Sequence, residues 1–414
     1  MRWLGCLRMS SGTKQRLWLI CELYYPEVNA TGHYVTQIGT GLADEFDVNV
    51  ICGQPNYLSK GIRAPARDSH KNVNRFRVWS TTLNKDVLLF RLINMLTIGS
   101  SMFLKCLRQF RRGDRVLVVT APPSLPYATA LAALIKGASY IVLLHDLYPD
   151  ILVAVGKTKR GSLLYNAIER LNRWLYKHAN RLIVIGRDMR ELVSAKASGL
   201  DVPIVTIPNW SDLHAITPSP KEANALLQSL GIGNKFVLMY AGNIGHPTDI
   251  ETIVEAADFL NEDPSIHFVF VGSGAKKAWL EKEVHSRGLR NISILGQLPR
   301  EEQNTFLNAC DVGLVSLIPG MLGTAMPSRT YNILAAGKPI IALTESGSEL
   351  AQVIDEESVG WHTSPGDADA LVAMINAARD DPQRLLGMGE RARSVAENKY
   401  SPETAVAAYG ELFR

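Results

Sequence analysis

Phe236-Val237-Leu238-Met239-Tyr240-Ala241-Gly242-Asn243-Ile244-Gly245-His246-Pro247-Thr248-Asp249 is the stretch on which the fold turns. An apolar, β-prone run at 236–240 ends in a loop with two glycines, and Asp249 stands where it can cap a helix over 250–261. The same unit follows at once: a strand at 267–271, the loop Gly272-Ser273-Gly274, and a helix at 276–287. Candidate strands at 292–295, 312–315 and 339–343 continue the alternation. Strands separated by helical stretches build βαβ units and a parallel sheet.

Toward the N-terminus a second series of the same kind appears. Strands are expected at 17–23, 48–53, 116–120, 140–144, 182–185 and 204–207, with helices over 34–44 and 127–136. Tyr25-Pro26 through Gly32 reads as a loop. A chain of 414 residues exceeds one ordinary core and fits two domains of about 200 residues each. The stretch 213–223, with two prolines, is the natural linker. Residues 1–16 read as a disordered lead-in, 17–212 as the N-terminal domain, and 213–399 as the C-terminal domain. A last helix within 400–414 is expected to pack back on the first domain. The fold class is therefore α/β, two Rossmann-like doubly wound parallel-sheet domains. Such sheets bind ligands at the carboxyl ends of their strands, and two of them facing each other create a cleft.

Composition excludes several alternatives. With 46% hydrophobic and 20% charged residues the chain is ordinary for a soluble protein, and a net charge of +4 does not imply nucleic-acid binding. The five cysteines show no metal-ligand spacing, so neither a zinc site nor a disulfide framework is expected, and a reducing cytoplasm fits. No uninterrupted apolar run is long enough to span a bilayer, and no apolar signal segment precedes Arg16.

Glycine loops that open helices are anion sites in waiting, because backbone amides converge there. Gly242, Gly245, Gly272 and Gly274 are candidates on that ground, although a glycine after a strand is more often only a tight turn. A dinucleotide fingerprint is not among them, since Lys277 occupies the position of the third glycine. The stretch from Gly320 to Pro339 is more specific. Pro327 and Ser328 can start a helix with Ser328 as N-cap, and Gly337 and Pro339 can end it. Arg329 then sits in the first turn, where a cation opposes the helix dipole; a bound anion would compensate it, and a solvated arginine is the bland alternative.

Taken together, Ala241-Gly242-Asn243-Ile244-Gly245, Gly272-Ser273-Gly274, and Pro327-Ser328-Arg329 followed by Tyr331 and Ala335-Ala336-Gly337-Lys338-Pro339 resemble the donor domain of GT-B glycosyltransferases of family 4. Tyr24-Tyr25-Pro26, His145-Asp146-Leu147-Tyr148-Pro149-Asp150 and Ile207-Pro208-Asn209 match in the same order, so the resemblance covers residues 17–413. It is strongest to bacterial enzymes of capsule, colanic-acid and O-antigen assembly, including fucosamine transferases. The resemblance implies transfer of a hexose or N-acetylhexosamine, with retention, from a nucleotide diphosphate sugar, by family habit a UDP sugar. The acceptor it implies is an oligosaccharide or a polyprenyl-diphosphate-linked glycan.

Two departures from the family stand out. Asn243 and Thr248 occupy positions where many members carry Arg and Lys, and Thr324 and Asn332 stand where many carry two glutamates. Arg329 is left as the principal phosphate cation, helped by Lys276 or Lys277, and Asn332 can still bond a hydroxyl. Gly32 and His33 are expected on the acceptor loop, and His145 or Asp146 as the proton acceptor. Asp367-Ala368-Asp369 matches a metal-binding pattern of another glycosyltransferase class, but helix capping is the stronger reading. No cofactor and no essential metal are expected. A GT-B nucleotide-sugar 2-epimerase and a non-catalytic sugar-nucleotide scaffold are the competing functions. Residues 85–112 mix apolar and basic side chains, reading either as a core helix pair with a solvated polar face or as a basic amphipathic surface segment. The resemblance favours the second, hence peripheral association with the anionic inner face of the cytoplasmic membrane.

Overall fold

The computed structural model describes residues 14–27, 29–55, 64–83 and 87–414, so the lead-in up to residue 13 and the start of the 85–112 segment lie outside the described residues. The strands are β1 (Arg16–Ile20), β2 (Asp47–Cys52), β3 (Arg67–His70), β4 (Val73–Arg77), β5 (Arg115–Val119), β6 (Ser139–Leu144), β7 (Arg181–Val184) and β8 (Ile204–Thr206). Then come β9 (Phe236–Ala241), β10 (Ile266–Val271), β11 (Ile292–Leu295), β12 (Val312–Ser316), β13 (Ile340–Leu343) and β14 (Gly360–Thr363). Internal contacts divide the chain into one unit up to Val118 that also takes in Ala128–Ile141, and a second of Val119–Tyr127 and Val142–Arg414.

In the first unit the strand order is β3-β4-β2-β1-β5, parallel except for the β3–β4 hairpin. Leu17, Trp18, Leu19 and Ile20 of β1 are all buried, the unbroken apolar run of a strand covered on both faces. The indole of Trp18 satisfies its one donor on Asp114 Oδ2 at 2.9 Å, while its ring packs 5.7 Å from both Phe76 and Phe110. The helix Ala30–Leu42 begins four residues before the expected 34, because the Asn29 side chain accepts the Gly32 amide at 3.1 Å and caps the helix there. Gly32 therefore belongs to a helical turn and not to the preceding loop. A Cβ there would stand 2.6 Å from Asn29 Oδ1, so the glycine is required by the cap.

Residues 87–112 hold one helix, Leu88–Gln109, and not a pair. Ile98, Met102 and Cys106 face the core, while Leu89, Leu92, Leu96 and Leu104 are exposed. The exposed stripe is thus apolar, opposite to what a core helix with a solvated polar face would show.

The second unit contains β7 beside β8 in parallel and a six-stranded parallel sheet ordered β11-β10-β9-β12-β13-β14. Its core joins Leu238, Tyr240, Phe268 and Phe270 of the sheet to Ile253, Val254 and Ala257 of the helix Ile250–Phe259. Register sets Tyr240 beside Phe270 and Ala241 beside Val271, so the two glycine loops leave the sheet side by side. The last helix, Pro402–Leu412, sets Tyr409 against Trp210 at 6.3 Å, and the Ser211 amide donates to Tyr400 O at 3.3 Å.

Candidate functional site

The glycine loops after β9 and β10 interlock. The Ile244 amide donates to Ser273 O at 2.9 Å, and a Cβ on Gly272 would stand 2.0 Å from Gly242 O. One on Gly274 would stand 2.4 Å from Ile244 O. Gly242, Gly272 and Gly274 also adopt φ of +144°, +148° and +153°. Gly272 and Gly274 are therefore required by contact between the two loops, and Gly242 by its positive φ and by the Arg329 guanidinium, 3.0 Å from where its Cβ would stand. A Cβ on Gly245 would collide with the Asn243 side chain at 2.6 Å. Asp249 caps the next helix through the Thr252 amide, as its position in the sequence implied.

Arg329 reaches this loop. Its Nη2 donates to Asn243 O at 3.3 Å, and its guanidinium carbon lies 4.1 Å from the ring centroid of Tyr240. The Tyr240 hydroxyl donates to the same Asn243 oxygen at 2.7 Å. The unfavourable opposition of a cation to the dipole of the helix Arg329–Ala335 is thus offset in part by an aromatic face, a partner 89 positions away that no local pattern shows. The compensation is incomplete: Arg329 Nη1 is buried and has no hydrogen-bond partner among the described residues. A buried, charged donor with nothing to donate to costs free energy until an acceptor arrives.

Three expectations change at this site. Ser328 has helical φ and ψ of −63° and −22° and its side chain caps nothing; the first-turn contact is instead the Thr330 amide to Pro327 O at 3.1 Å. Lys276 is not available to a phosphate as placed, because Nζ donates to Thr248 O at 2.7 Å and pairs with Glu251 at 2.9 Å. Lys277 pairs with Glu281 along its helix at 3.4 Å. Asn332 accepts a hydrogen bond from the Ser211 hydroxyl at 2.9 Å, which leaves its amide nitrogen for other partners. Asp367 caps the helix Ala368–Asp380 through the Ala370 amide.

His145 and Asp146 follow β6, and Thr120 Oγ1 accepts the His145 amide at 3.2 Å. Burial lowers the His145 imidazole to about 4, so it is neutral at physiological pH. Burial raises the Asp146 carboxyl to about 6, which makes it a stronger proton acceptor than an ordinary carboxylate while still mostly ionised at pH 7. Asp146 lines a cavity of about 20 Å³ with Thr120, Tyr127, Tyr148 and Asn172, room for about one water. Its backbone bridges Ala325, and the adjacent Leu147 amide donates to Thr324 O at 2.9 Å. The segment that bears Asp146 is thereby joined to the loop that leads to Arg329. His33 lies in the first unit, one residue past Gly32, with its ring 6.0 Å from that of Tyr34.

Two carboxylates outside every motif of the sequence act on that loop. Glu345 Oε2 accepts the amides of Gly320 and Leu322, each at 3.0 Å, and Asp188 Oδ2 accepts the Gly323 amide at 3.1 Å. Neither stands in a recognisable motif. Their role comes from main-chain donors distant in sequence, so no local pattern could have shown it.

Comparison with known proteins agrees with this arrangement. The family description "Glycosyl transferase 4-like domain" matches residues 29–210, and "Glycosyl transferases group 1" matches residues 223–395. The chain is 31% identical over 399 residues to a probable glycosyltransferase, WbjE, of Pseudomonas aeruginosa, covering 96% of this chain and 98% of that protein. It is 28% identical over 370 residues to the putative colanic acid biosynthesis glycosyl transferase WcaI of Escherichia coli, covering 86% and 90% of the two chains. Among solved structures, sucrose-phosphate synthase of Thermosynechococcus elongatus superposes with a TM-score of 0.76 at 18% identity, over 97% of this chain and 98% of that one. HepE of Anabaena in complex with UDP-glucose gives 0.71 at 16% identity, over 96% and 99%. With two sheets of parallel α/β build and a relative of this identity along nearly its whole length, the chain belongs to the family-4 glycosyltransferases of the GT-B fold.

Proposed function

We propose that this enzyme transfers a hexose or N-acetylhexosamine, with retention, from a UDP sugar to an oligosaccharide or polyprenyl-diphosphate-linked acceptor in the synthesis of a surface polysaccharide such as capsule or O-antigen. The observation that carries the donor half is Arg329: a half-buried guanidinium at the loop 242–245, with one buried nitrogen lacking any acceptor. A diphosphate oxygen supplies that acceptor, and the amides of the glycine loops share its charge. Asn332 offers its amide nitrogen to a hydroxyl of the nucleotide, and Ser328 flanks the same site. Solved relatives in the fold bind UDP and UDP-glucose, and colanic acid synthesis is the printed role of one sequence relative.

On the acceptor half, Asp146 takes the proton of the attacking hydroxyl, and Gly32 and His33, in the first turn of the helix Ala30–Leu42, face the acceptor. Arg329 and backbone amides carry the leaving charge, so no essential metal is required. The acceptor half serves residues 17–212 with the last helix, and the donor half residues 213–399. The apolar exposed stripe of the helix Leu88–Gln109, with Trp79 and Leu83 also exposed, supports peripheral docking on an anionic inner membrane face. No acidic residue lies between Val87 and Gly113, while Arg91, Lys105, Arg108, Arg111 and Arg112 do. Among the described residues no helix is long and apolar enough to cross a membrane.

The test is a thermal-shift screen of nucleotides followed by UDP release from a panel of UDP hexoses and N-acetylhexosamines, with and without EDTA. Stabilisation by UDP and metal-independent release from at least one sugar are expected. Stabilisation by no nucleotide would remove the donor reading, and isomerisation of a free UDP sugar without transfer would replace it with the epimerase.

A further inference from the structure

The main chain between β12 and the helix Arg329–Ala335 runs without regular structure, yet it connects the two groups on which the proposed chemistry depends. At residues 324 and 325 it meets the segment of Asp146, and four residues later it delivers Arg329. Nothing in this stretch belongs to a strand that would hold it, so its shape is set by a turn of its own, with the Thr324 amide on Met321 O at 3.0 Å, and by contacts from outside.

Three of those contacts are made by carboxylates; backbone bonds make the others, among them the Leu317 amide to Leu343 O at 2.9 Å and the Ile318 amide to Pro247 O at 3.0 Å. Glu345, in the turn after β13, takes two amides of the loop on one oxygen, at Gly320 and Leu322. Asp188, from the first turn of the helix Arg187–Lys196, takes the Gly323 amide on one oxygen and its neighbour Met189 amide on the other, at 2.7 Å. Gly320 and Gly323 adopt φ of +84° and +71°, and a Cβ on Gly323 would stand 2.9 Å from Asp188 O. Thr324, at the position where many family members carry a glutamate, is buried and turns its hydroxyl back onto Met321 O at 2.8 Å. Three amides are thus held by two carboxylates that approach from different elements, and the helix carrying Asp188 is itself fastened by Arg187 to Glu349 at 3.0 Å and Glu356 at 2.7 Å. An ionised acceptor makes a stronger bond to an amide than a neutral one does, so the three of them fix a loop that water alone would leave free to move.

We propose that Glu345 and Asp188 are positioning residues that set the separation between Asp146 and Arg329 by holding residues 320–325 in one shape. The inference rests on the donor and acceptor roles proposed above. A misplacement of about 1 Å between reacting groups is enough to cost about a hundredfold in rate. The carboxylates touch neither UDP nor the sugar in this reading, so their loss lowers turnover and spares nucleotide binding.

The experiment uses the full chain and its E345A, D188A and E345Q variants. UDP affinity is measured by calorimetry, and kcat and KM on the UDP sugar that the wild type consumes, with a thermal melt for each protein. Expected are a ten- to hundredfold fall in kcat for E345A and D188A, a UDP Kd within about threefold of wild type, and a smaller fall for E345Q, whose amide oxygen still accepts. An unchanged kcat in both alanine variants overturns the inference. So does a parallel loss of kcat and UDP affinity, which marks a general loss of fold. If the wild type neither binds UDP nor consumes a UDP sugar, the proposed function falls and takes this inference with it; wild-type turnover with unaffected variants removes the inference alone.

Discussion

Replacing Arg329 by alanine removes three interactions of opposite sign for folding. The hydrogen bond to Asn243 O at 3.3 Å is long, and its loss costs at most about 1 kcal/mol. The contact with the Tyr240 ring at 4.1 Å is worth about 0.5–2 kcal/mol. Against these, the buried Nη1 that bonds nothing is a penalty of about 1–3 kcal/mol, which the substitution relieves. The sum lies near zero, so the melting temperature of the free protein is expected to stay within a few degrees of wild type. Ligand binding shows no such cancellation. A charge-assisted bond to a diphosphate is worth about 1.5–3 kcal/mol, or roughly ten- to hundredfold in affinity. UDP titration by calorimetry and kcat/KM on the UDP sugar supply the two readings, with denaturant melts beside them. An arginine that only packs on Tyr240 gives the reverse pattern: a lower melting temperature and an unchanged UDP Kd. That result, or kcat/KM within about threefold of wild type, refutes the assignment, since threefold is only about 0.65 kcal/mol.

Other substitutions test separate parts of the reading. Because the Asp146 carboxyl is raised to about 6 and a base must be ionised, the transfer rate is expected to climb with pH through about 6 and level off above it. Asp146→Asn should flatten that limb and slow transfer by about a hundredfold or more; a wild-type profile flat from pH 5 to 8 would contradict the role. Asp68 is shared by two buried arginines, Arg75 at 2.9 Å and Arg77 at 2.8 Å, so Asp68→Ala leaves both with carbonyl acceptors but no counter-ion and should cost about 3–5 kcal/mol in urea unfolding. A loss under about 1 kcal/mol would show that water reaches the pair. Leu92→Glu with Leu96→Glu, at side chains 45% and 67% exposed, should abolish sedimentation with anionic vesicles at low salt while leaving circular dichroism unchanged; persistent sedimentation would move the membrane contact elsewhere.

The sequence carried the architecture well because periodicity and punctuation are local. β9 to β13 lie within a few residues of their expected positions, since an apolar run that stops at glycine leaves little choice. β3 and β4 went unread for a physical reason. Arg75 and Arg77 look like solvent-facing residues, yet both are buried because Asp68 and the carbonyl of Tyr25 receive their guanidiniums. An alternation rule cannot recognise a strand whose inward positions are arginines neutralised from outside it. β14 was missed because Gly360-Trp361-His362-Thr363 is short and only half-buried, a poor apolar run.

The donor loop shows the same limit from the other side. Gly242, Gly272, Gly274 and Arg329 were legible because each imposes a local requirement, a positive φ or a charge set against a helix dipole. What the loop does with them depends on pairings that span the chain: Arg329 with Tyr240, 89 positions apart by number, and Gly323 with Asp188, 135 apart. Those pairings also explain how the site tolerates the absent family charges. Thr248 stands where many family members carry a lysine, and its carbonyl accepts Lys276, whose charge serves the loop's backbone. At the position where many family members carry a glutamate, Thr324 turns inward and the carboxylates stand behind the loop at Asp188 and Glu345. Charge at this loop thus serves the scaffold at Lys276, Asp188 and Glu345, and on the reading proposed above Arg329 is the cation that discriminates a diphosphate from a neutral ligand.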